Sequence, residues 1–281
     1  MVDPPEAVPG TGPDPKGPPS TGVANPRPDW LGAAGIGLLA GLLSGLFGVG
    51  GGIVMVPLMV ARLGLDHRRA SATSLLAIVP IATASAAGYA VTGNVDPVAG
   101  LLLLIGGVAG GQMGARLLPR TPIPTLQLWF GVLSIATALR LVLGGGGAAA
   151  LVGTAWEYVL LLLVGILAGT LAGLLGVGGG IVMVPGLVIL AGADADTARG
   201  TSLLVIIFTA LTATATNLRN GLVDVRVALT AGLVGVPAGL AGAALGQWIP
   251  ERGALVLFAV LLVLSGVQMI LRSRRGPRRI G

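Results

Sequence analysis

Two glycine-rich segments contain the residues whose spacing suggests chemistry. Gly48-Val49-Gly50-Gly51-Gly52 and Gly176-Val177-Gly178-Gly179-Gly180 each interrupt an apolar run and precede a proline, Pro57 or Pro185. Glycine has no side chain to hold an oxyanion away from the main chain, and a helix start offers unpaired N–H groups and a positive dipole end. We interpret eight glycines as candidate anion contacts: Gly48, Gly50, Gly51, Gly52, Gly176, Gly178, Gly179 and Gly180. Close packing or a hinge is the alternative interpretation.

Hydroxyl and amide side chains supply further candidate donors. Thr73, Ser74, Thr201 and Ser202 begin the apolar segments that follow the two glycine clusters. They are candidates for binding the same anion, or alternatively for capping helices. Asn217, together with Thr212 and Thr216, has no matching amide or aliphatic hydroxyl in the first half and is a candidate for substrate selection. The pattern predicts no catalytic residue, no metal ligand and no cofactor.

The scarce reactive residues exclude several classes of protein. The chain has no cysteine, so thiolate zinc sites, iron–sulfur clusters and disulfides are excluded. Its only lysine, Lys16, lies in a polar tail, so a P-loop is excluded. The only histidine, His67, is expected to be a solvated loop residue beside two arginines. A serine protease built on Ser44 and His67 is therefore disfavoured, and we expect no enzyme.

The two halves of the chain are copies at an offset of 128 residues. Residues 45–57 and 173–185 differ only at Phe47 and Leu175. The same offset pairs Asp96 with Asp224, each of which we interpret as a helix N-cap. Further glycines in each half are predicted to permit close helix packing: Gly106, Gly110, Gly114, Gly235 and Gly239. Internal repeats of this kind are common in transporters.

The composition requires a membrane. The 281 residues are 54% hydrophobic and 10% charged, and the mean hydropathy is +0.92. A soluble domain carries about 25% charged residues. Eight stretches lack Asp, Glu, Lys and Arg and are long enough to span a bilayer: 30–61, 70–95, 97–115, 121–139, 158–193, 200–218, 227–250 and 253–271. The predicted fold is therefore an all-α integral membrane protein of two repeats, with about four hydrophobic segments in each.

The first stretch of each repeat is too long for one crossing. A continuous helix over 30–61 would be about 48 Å long, against a hydrocarbon core of about 30 Å. We therefore predict two short helices joined by non-helical backbone at each glycine cluster. If these stretches fold back, fourteen of the seventeen Lys and Arg residues share one side with both termini, and only Arg140, Arg199 and Arg252 lie opposite. The positive-inside rule favours this arrangement, with inverted repeats and cytoplasmic termini; whether the first stretch is re-entrant or crosses stays open.

The remaining segments are predicted to lie outside the repeats. Residues 1–29 hold nine of the nineteen prolines and no apolar run, which predicts a disordered tail. We place repeat 1 at 30–143, a linker at 144–157, repeat 2 at 158–271 and a basic cytoplasmic tail at 272–281.

The paired glycine motifs resemble those of the sulfite exporter TauE/SafE family of bacterial membrane permeases. Ala70–Ser74 with Ala198–Ser202, and Gly93–Asp96 with Gly221–Asp224, fit the same family. The resemblance covers about residues 30–271. It implies transport of sulfur-containing oxyanions or organosulfonates, such as sulfite, in the bacterial inner membrane.

The leading hypothesis is a secondary transporter of a small sulfur oxyanion or organosulfonate that works by alternating access. An anion channel and a non-transporting assembly factor are the alternatives. The expected partners are a small anionic substrate and the lipid bilayer, with no nucleic acid. The sequence decides neither the substrate, the direction and the coupling ion nor whether the chain forms a homo-oligomer.

Overall fold

The computed structural model describes residues 29–118 and 155–274, together with scattered positions between 122 and 139. The helices in the two continuous ranges are α1 (Trp30–Phe47), α2 (Gly52–Arg62), α3 (His67–Val91), α4 (Pro97–Leu117), α5 (Ala155–Leu175), α6 (Gly180–Leu190), α7 (Ala195–Arg219), α8 (Val225–Trp248) and α9 (Glu251–Arg274). The predicted tail before Asp29, most of the predicted linker, the C-terminal end of the basic tail and about half of stretch 121–139 lie outside the described residues. Helix α5 already begins within the predicted linker.

Each long apolar run forms a helical hairpin. Arg62 at the end of α2 lies 3.9 Å (Nε to Oδ2) from Asp29, which precedes α1, so α2 returns along α1. In the second unit, a Cβ added to Gly186 of α6 would lie 2.8 Å from Cγ1 of Val164 in α5. The predicted interruption of both runs is confirmed. The two arms are unequal, however: α1 has 18 residues and can span a bilayer, whereas α2 has only 11.

Aspartates start the helices. The Asp96 carboxylate accepts hydrogen bonds from the amides of Val98 (2.9 Å) and Ala99 (3.0 Å), and Pro97 occupies the first turn. Asp224 accepts one from Val227 at 3.1 Å. Both predicted N-caps are therefore confirmed. Asp66 and Asp194 cap α3 and α7 in the same way. His67 is the first residue of α3 and is half-buried, so the expectation of a solvated loop residue is wrong.

Glycines bring helices of different repeats into backbone contact. On α4, a Cβ added to Gly106, Gly110 or Gly114 would overlap a backbone carbonyl of α5. On α8, Gly235 and Gly239 face α3, and Gly235 also faces the Gly37 carbonyl of α1. The predicted packing role of these glycines is confirmed. Because α1 pairs with α8 and α5 pairs with α4, each hairpin is held by a helix of the other repeat.

Equivalent helices run antiparallel. Thr73, near the start of α3, accepts the N–H of Asp224, which follows α7, at 3.0 Å. Thr201, near the start of α7, accepts the N–H of Asp96, which follows α3, at 2.8 Å. The start of each helix therefore lies beside the end of its equivalent, as a pseudo-two-fold axis between the repeats requires.

The outer surface is apolar. Within the described residues, six helices are long and apolar enough to cross a membrane, namely α1, α3, α4, α5, α7 and α8. Large apolar side chains are exposed on these helices, such as Leu233 (62%), and on α9, such as Leu264 (64%). Trp30, Trp156 and Trp248 lie exposed at helix ends, where tryptophan prefers the membrane–water interface. The solvent of this surface is lipid.

Candidate functional site

Both glycine clusters break their helices in the same conformation. α1 ends at Phe47, and Gly48, Gly50 and Gly51 follow with φ of 69°, 83° and 72°. In the second unit the matching angles are 70°, 89° and 82°. A side chain strains this left-handed backbone, so the spacing of the glycines dictates where the chain leaves the helix. Gly51 and Gly179 then serve as the N-caps of α2 and α6 without any side chain to bond the first turn.

The two breaks meet at the centre of the molecule. A Cβ added to Gly52 would overlap the carbonyl of Gly176. Reciprocally, a Cβ added to Gly180 would lie 2.5 Å from the carbonyl oxygen of Gly48. Gly178 faces Val49 and the Cα of Gly50. The structure therefore brings together all eight glycines that the sequence singled out. The packing interpretation holds as well, because the two backbones touch directly here.

The first amides of α2 and α6 are unpaired. The N–H groups of Val54 and Met55 bond to the Gly51 carbonyl at 3.2 and 3.1 Å, and Val182 and Met183 do the same with Gly179. For the amides of 50–53 and 178–181 we find no acceptor in the described part of the chain. These residues are buried. Buried, unpaired N–H groups are rare in proteins, and two helix starts concentrate them in one place.

Two isoleucines cover the breaks. Ile78 of α3 and Ile206 of α7 occupy equivalent positions, and both are fully buried. Their Cγ2 atoms would lie 3.3 and 3.2 Å from a Cβ added to Gly50. The neighbours on this side of Gly50 are therefore side chains, which can move, rather than backbone.

The predicted serines hold the breaks in place. Ser74 donates from Oγ to the Gly176 carbonyl at 2.7 Å, and Ser202 donates to the Gly48 carbonyl at 2.5 Å. Each bond joins a helix of one repeat to the break of the other. The alternative that Ser74 and Ser202 cap helices is wrong, because Asp66 and Asp194 cap α3 and α7.

Thr73 and Thr201 fasten the repeats rather than cap their helices. Through the bonds to Asp224 and Asp96, each hydroxyl oxygen is already an acceptor for a backbone amide of the other repeat. Both threonines are fully buried. A direct contact of these hydroxyls with a substrate remains a prediction.

Asn217 differs from the other predicted polar residues. Thr212 and Thr216 bond to carbonyls of their own helix at 3.0 and 3.4 Å. Asn217 is fully buried, and neither its Oδ1 nor its Nδ2 has a hydrogen-bond partner in the described structure. Burying such an amide side chain destabilises the fold unless water or a ligand forms hydrogen bonds with it.

Sequence reasoning missed a buried arginine beside the first break. Arg199 is 3% exposed, and its NH1 donates to Asp196 Oδ1 at 2.9 Å and to the Gly246 carbonyl at 3.2 Å. Its Cα would lie 2.6 Å from a Cβ added to Gly48. In the sequence, Arg199 was noted only for the side of the membrane on which its charge lies, and it was not singled out as a site residue. The offset of 128 residues could have indicated the burial of Arg199. It aligns Arg199 with Ser71, in the middle of the repeated segment that ends in Thr-Ser.

These features define a polytopic helical membrane protein with broken helices at its centre, an arrangement typical of transporters. The chain belongs to the TauE/SafE family. The family profile, described as sulfite exporter TauE/SafE, matches residues 10–141 and 161–281. The resemblance drawn from the glycine motifs is thereby confirmed, and the chain belongs to a family in which the relatives described below are probable membrane transporters.

Individual relatives agree with this assignment. The chain is 32% identical over 128 residues to the probable membrane transporter protein YunE of Bacillus subtilis, covering 43% of this chain and 47% of the relative. It is 37% identical over 82 residues to YdhB of the same organism, covering 29% and 33%. A probable membrane transporter protein of Xylella fastidiosa is 30% identical over 109 residues, covering 38% and 42%. The matches thus span less than half the length of these relatives. No solved structure matches the chain.

Proposed function

We propose that this chain is a secondary transporter that carries a small sulfur-containing oxyanion or organosulfonate across the bacterial cytoplasmic membrane by alternating access. The family description supports the sulfur oxyanion. The proposed substrate contacts are the glycines of both breaks, the four hydroxyl residues beside them and one amide: Gly48, Gly50, Gly51, Gly52, Thr73, Ser74, Gly176, Gly178, Gly179, Gly180, Thr201, Ser202 and Asn217.

The observation that carries this proposal is the convergence of two sets of unpaired, buried amides. The N–H groups of 50–53 and of 178–181 belong to helix starts that touch each other. Each helix start also carries about half a positive charge from its dipole. An oxyanion with several acceptor oxygens can accept from both sets at once, which a cation or an apolar solute cannot do.

The contacts around the breaks favour a transporter over an open channel. Ile78 and Ile206 both pack against Gly50, and the residues of both breaks are buried, so the amides do not face a continuous aqueous path. Access requires these side chains, or the helices that carry them, to move. Since α3 and α7 each bond to the break of the other repeat through Ser74 and Ser202, such a movement would displace both breaks together.

The antiparallel relation of the repeats supports an inverted topology with both termini in the cytoplasm. Asp66 and Asp194 are exposed and precede equivalent antiparallel helices, so we place them on opposite faces of the membrane. The chain has no native cysteine, so Asp66→Cys and Asp194→Cys give single labelling sites. A membrane-impermeant maleimide should label only one of them in intact cells. Labelling of both or of neither would contradict the inverted topology.

Uptake by proteoliposomes tests the function. Purified protein should give saturable uptake of labelled sulfite or a small organosulfonate, and unlabelled oxyanions should compete. Uptake that does not saturate, together with single-channel conductance, would identify a channel instead. Lack of any uptake of these anions would contradict the proposed substrate class.

A further inference from the structure

The pseudo-two-fold axis gives every residue beside one break a counterpart beside the other. Arg199 lies against Gly48 at the first break, and Ser71 lies against Gly176 at the second, where its Cα would be 2.5 Å from an added Cβ. The offset likewise pairs Tyr89 of α3 with Asn217 of α7. The two ends of the central site are therefore built from different chemistry at equivalent positions.

The two large polar side chains at the Arg199 end have partners, whereas the nearby buried hydroxyls of Ser44 and Ser85 have none in the described structure. Tyr89 donates from Oη to the Gly45 carbonyl at 2.8 Å. Arg199 bonds to Asp196 and to Gly246, as described above. Gly246 leaves room for both side chains, since a Cβ there would lie 2.6 Å from Tyr89 Oη and 3.4 Å from Arg199 NH1. This end joins α1, α3, α7 and α8 and is closed.

At the opposite end, the residues at the positions equivalent to Arg199 and Tyr89 lack partners. Ser71 and Asn217 are fully buried, and no hydrogen bond to Ser71 Oγ or to either amide atom of Asn217 occurs within the described structure. Thr214, one turn before Asn217, is 3% exposed and its Oγ1 is unpaired as well. Leu118 takes the position of Gly246 and is buried. Smaller polar side chains thus replace the large, bonded pair of the other end.

An amide and a hydroxyl left unpaired in a membrane interior need water or a ligand. By the two-fold relation, Asn217 stands to Ser71 as Tyr89 stands to Arg199, and Ser71 lies against Gly176 at the start of the second break. Asn217 Nδ2 offers two donors and Ser71 Oγ offers one.

We propose that Ser71 and Asn217 form a binding site for the transported oxyanion, on the side of the breaks opposite Arg199. This Ser71–Asn217 site holds the anion through neutral donors and delivers it to the amides of the second break. The inference rests on the proposed function. It adds Ser71, and it assigns the two ends of the site different roles: one end binds and the other is closed.

Asn217→Leu and its two-fold counterpart Tyr89→Phe test the site in proteoliposomes. Asn217→Leu removes unpaired polar atoms, so the melting temperature should stay the same or rise, while KM for sulfite rises at least about tenfold. Tyr89→Phe removes a bonded hydroxyl, so the melting temperature should fall, while KM stays within about twofold. A purely structural Asn217 would give the opposite pattern.

Ser71→Ala provides a second variant with little risk to folding. It should raise KM severalfold without lowering the melting temperature. Unchanged KM in both Asn217→Leu and Ser71→Ala, with saturable wild-type uptake, would overturn the Ser71–Asn217 site and leave the proposed function standing. Absence of saturable uptake by the wild-type protein would instead overturn the proposed function, and the site with it.

Discussion

Gly50→Ala separates anion binding at the break from the integrity of the fold. Gly51 and Gly52 are unsuitable for this purpose, because a Cβ at either position would overlap the backbone carbonyl of Ala40 or Gly176. At Gly50 the nearest atoms to an added Cβ belong to side chains, at 3.2 to 3.4 Å. The new methyl group would require the two isoleucine side chains to shift by a few tenths of an ångström, and it would occupy the space between the break and these isoleucines.

Gly50→Ala should change the stability and the KM for two separate reasons. Gly50 has a φ of 83°, so alanine there costs about 1–2 kcal/mol of stability through left-handed strain. Moving the anion away from one amide removes a charge-assisted hydrogen bond of about 1.5–3 kcal/mol. Since 1.36 kcal/mol corresponds to a factor of ten, KM should rise about 10- to 100-fold.

Gly93→Ala is the matched control. Gly93 has a similar φ of 77°, lies in the turn between α3 and α4, and has no atom within 4 Å of an added Cβ. Both variants should lose similar stability in thermal melts, but only Gly50→Ala should raise KM in proteoliposome uptake. If KM in Gly50→Ala stays within about twofold of that in Gly93→Ala, the amides of the first break do not bind the substrate.

Three further predictions concern stability. Ser202→Ala should lower the stability by about 1–3 kcal/mol in melting experiments, because the buried Gly48 carbonyl loses its hydrogen-bond donor. Thr83→Ala removes an exposed hydroxyl that bonds within its own helix, so it should change the stability little. Equal losses in the two variants would contradict a stabilising role of the Ser202 bond. Asp96→Ala should lower the free energy of unfolding by about 0.5–2 kcal/mol, and Asp96→Asn should lower it much less, because asparagine also caps helices. An unchanged melting temperature in Asp96→Ala would contradict the capping role. Burial raises the pKa of the Asp194 carboxyl, but hydrogen bonds from the first turn of α7 outweigh it and hold the pKa below its usual value. The stabilisation by the ionised carboxylate is present above the unfolded-state pKa of about 3.9 and is lost as the pH falls through the folded-state pKa. Below about pH 4, the melting temperature of the wild type should therefore depend more steeply on pH than that of Asp194→Asn. Parallel curves of melting temperature against pH would contradict this prediction.

The breaks and the caps were predictable because their causes are local. Three adjacent glycines weaken a helix at one place, and the repeat shows the same weakness twice. Asp96 before Pro97 is a helix start that needs no tertiary information. Both features appear in the structure where the sequence predicted them, although α1 is longer than expected.

The partners of the buried polar residues were not predictable in the same way. Ser74 bonds to a carbonyl 102 residues away, a pairing that exists only once the repeats have packed. Arg199 was not singled out because it lies at the edge of an apolar run, where a charged residue is expected. Its partners, Asp196 and Gly246, come from two different helices. The spacing of three residues on one helix can suggest the contact with Asp196, but the contact with Gly246 on α8 exists only in the folded structure.

Anomalous diffraction from crystals grown with selenite tests the central claim most directly. Selenite is a heavier analogue of sulfite, and its selenium can be located without model bias. The account predicts a selenium peak within about 4 Å of amide nitrogens of 50–53 or 178–181, with oxygens at hydrogen-bond distance. Selenium found only at the protein surface, with these amides bonded to protein carbonyls, would contradict it.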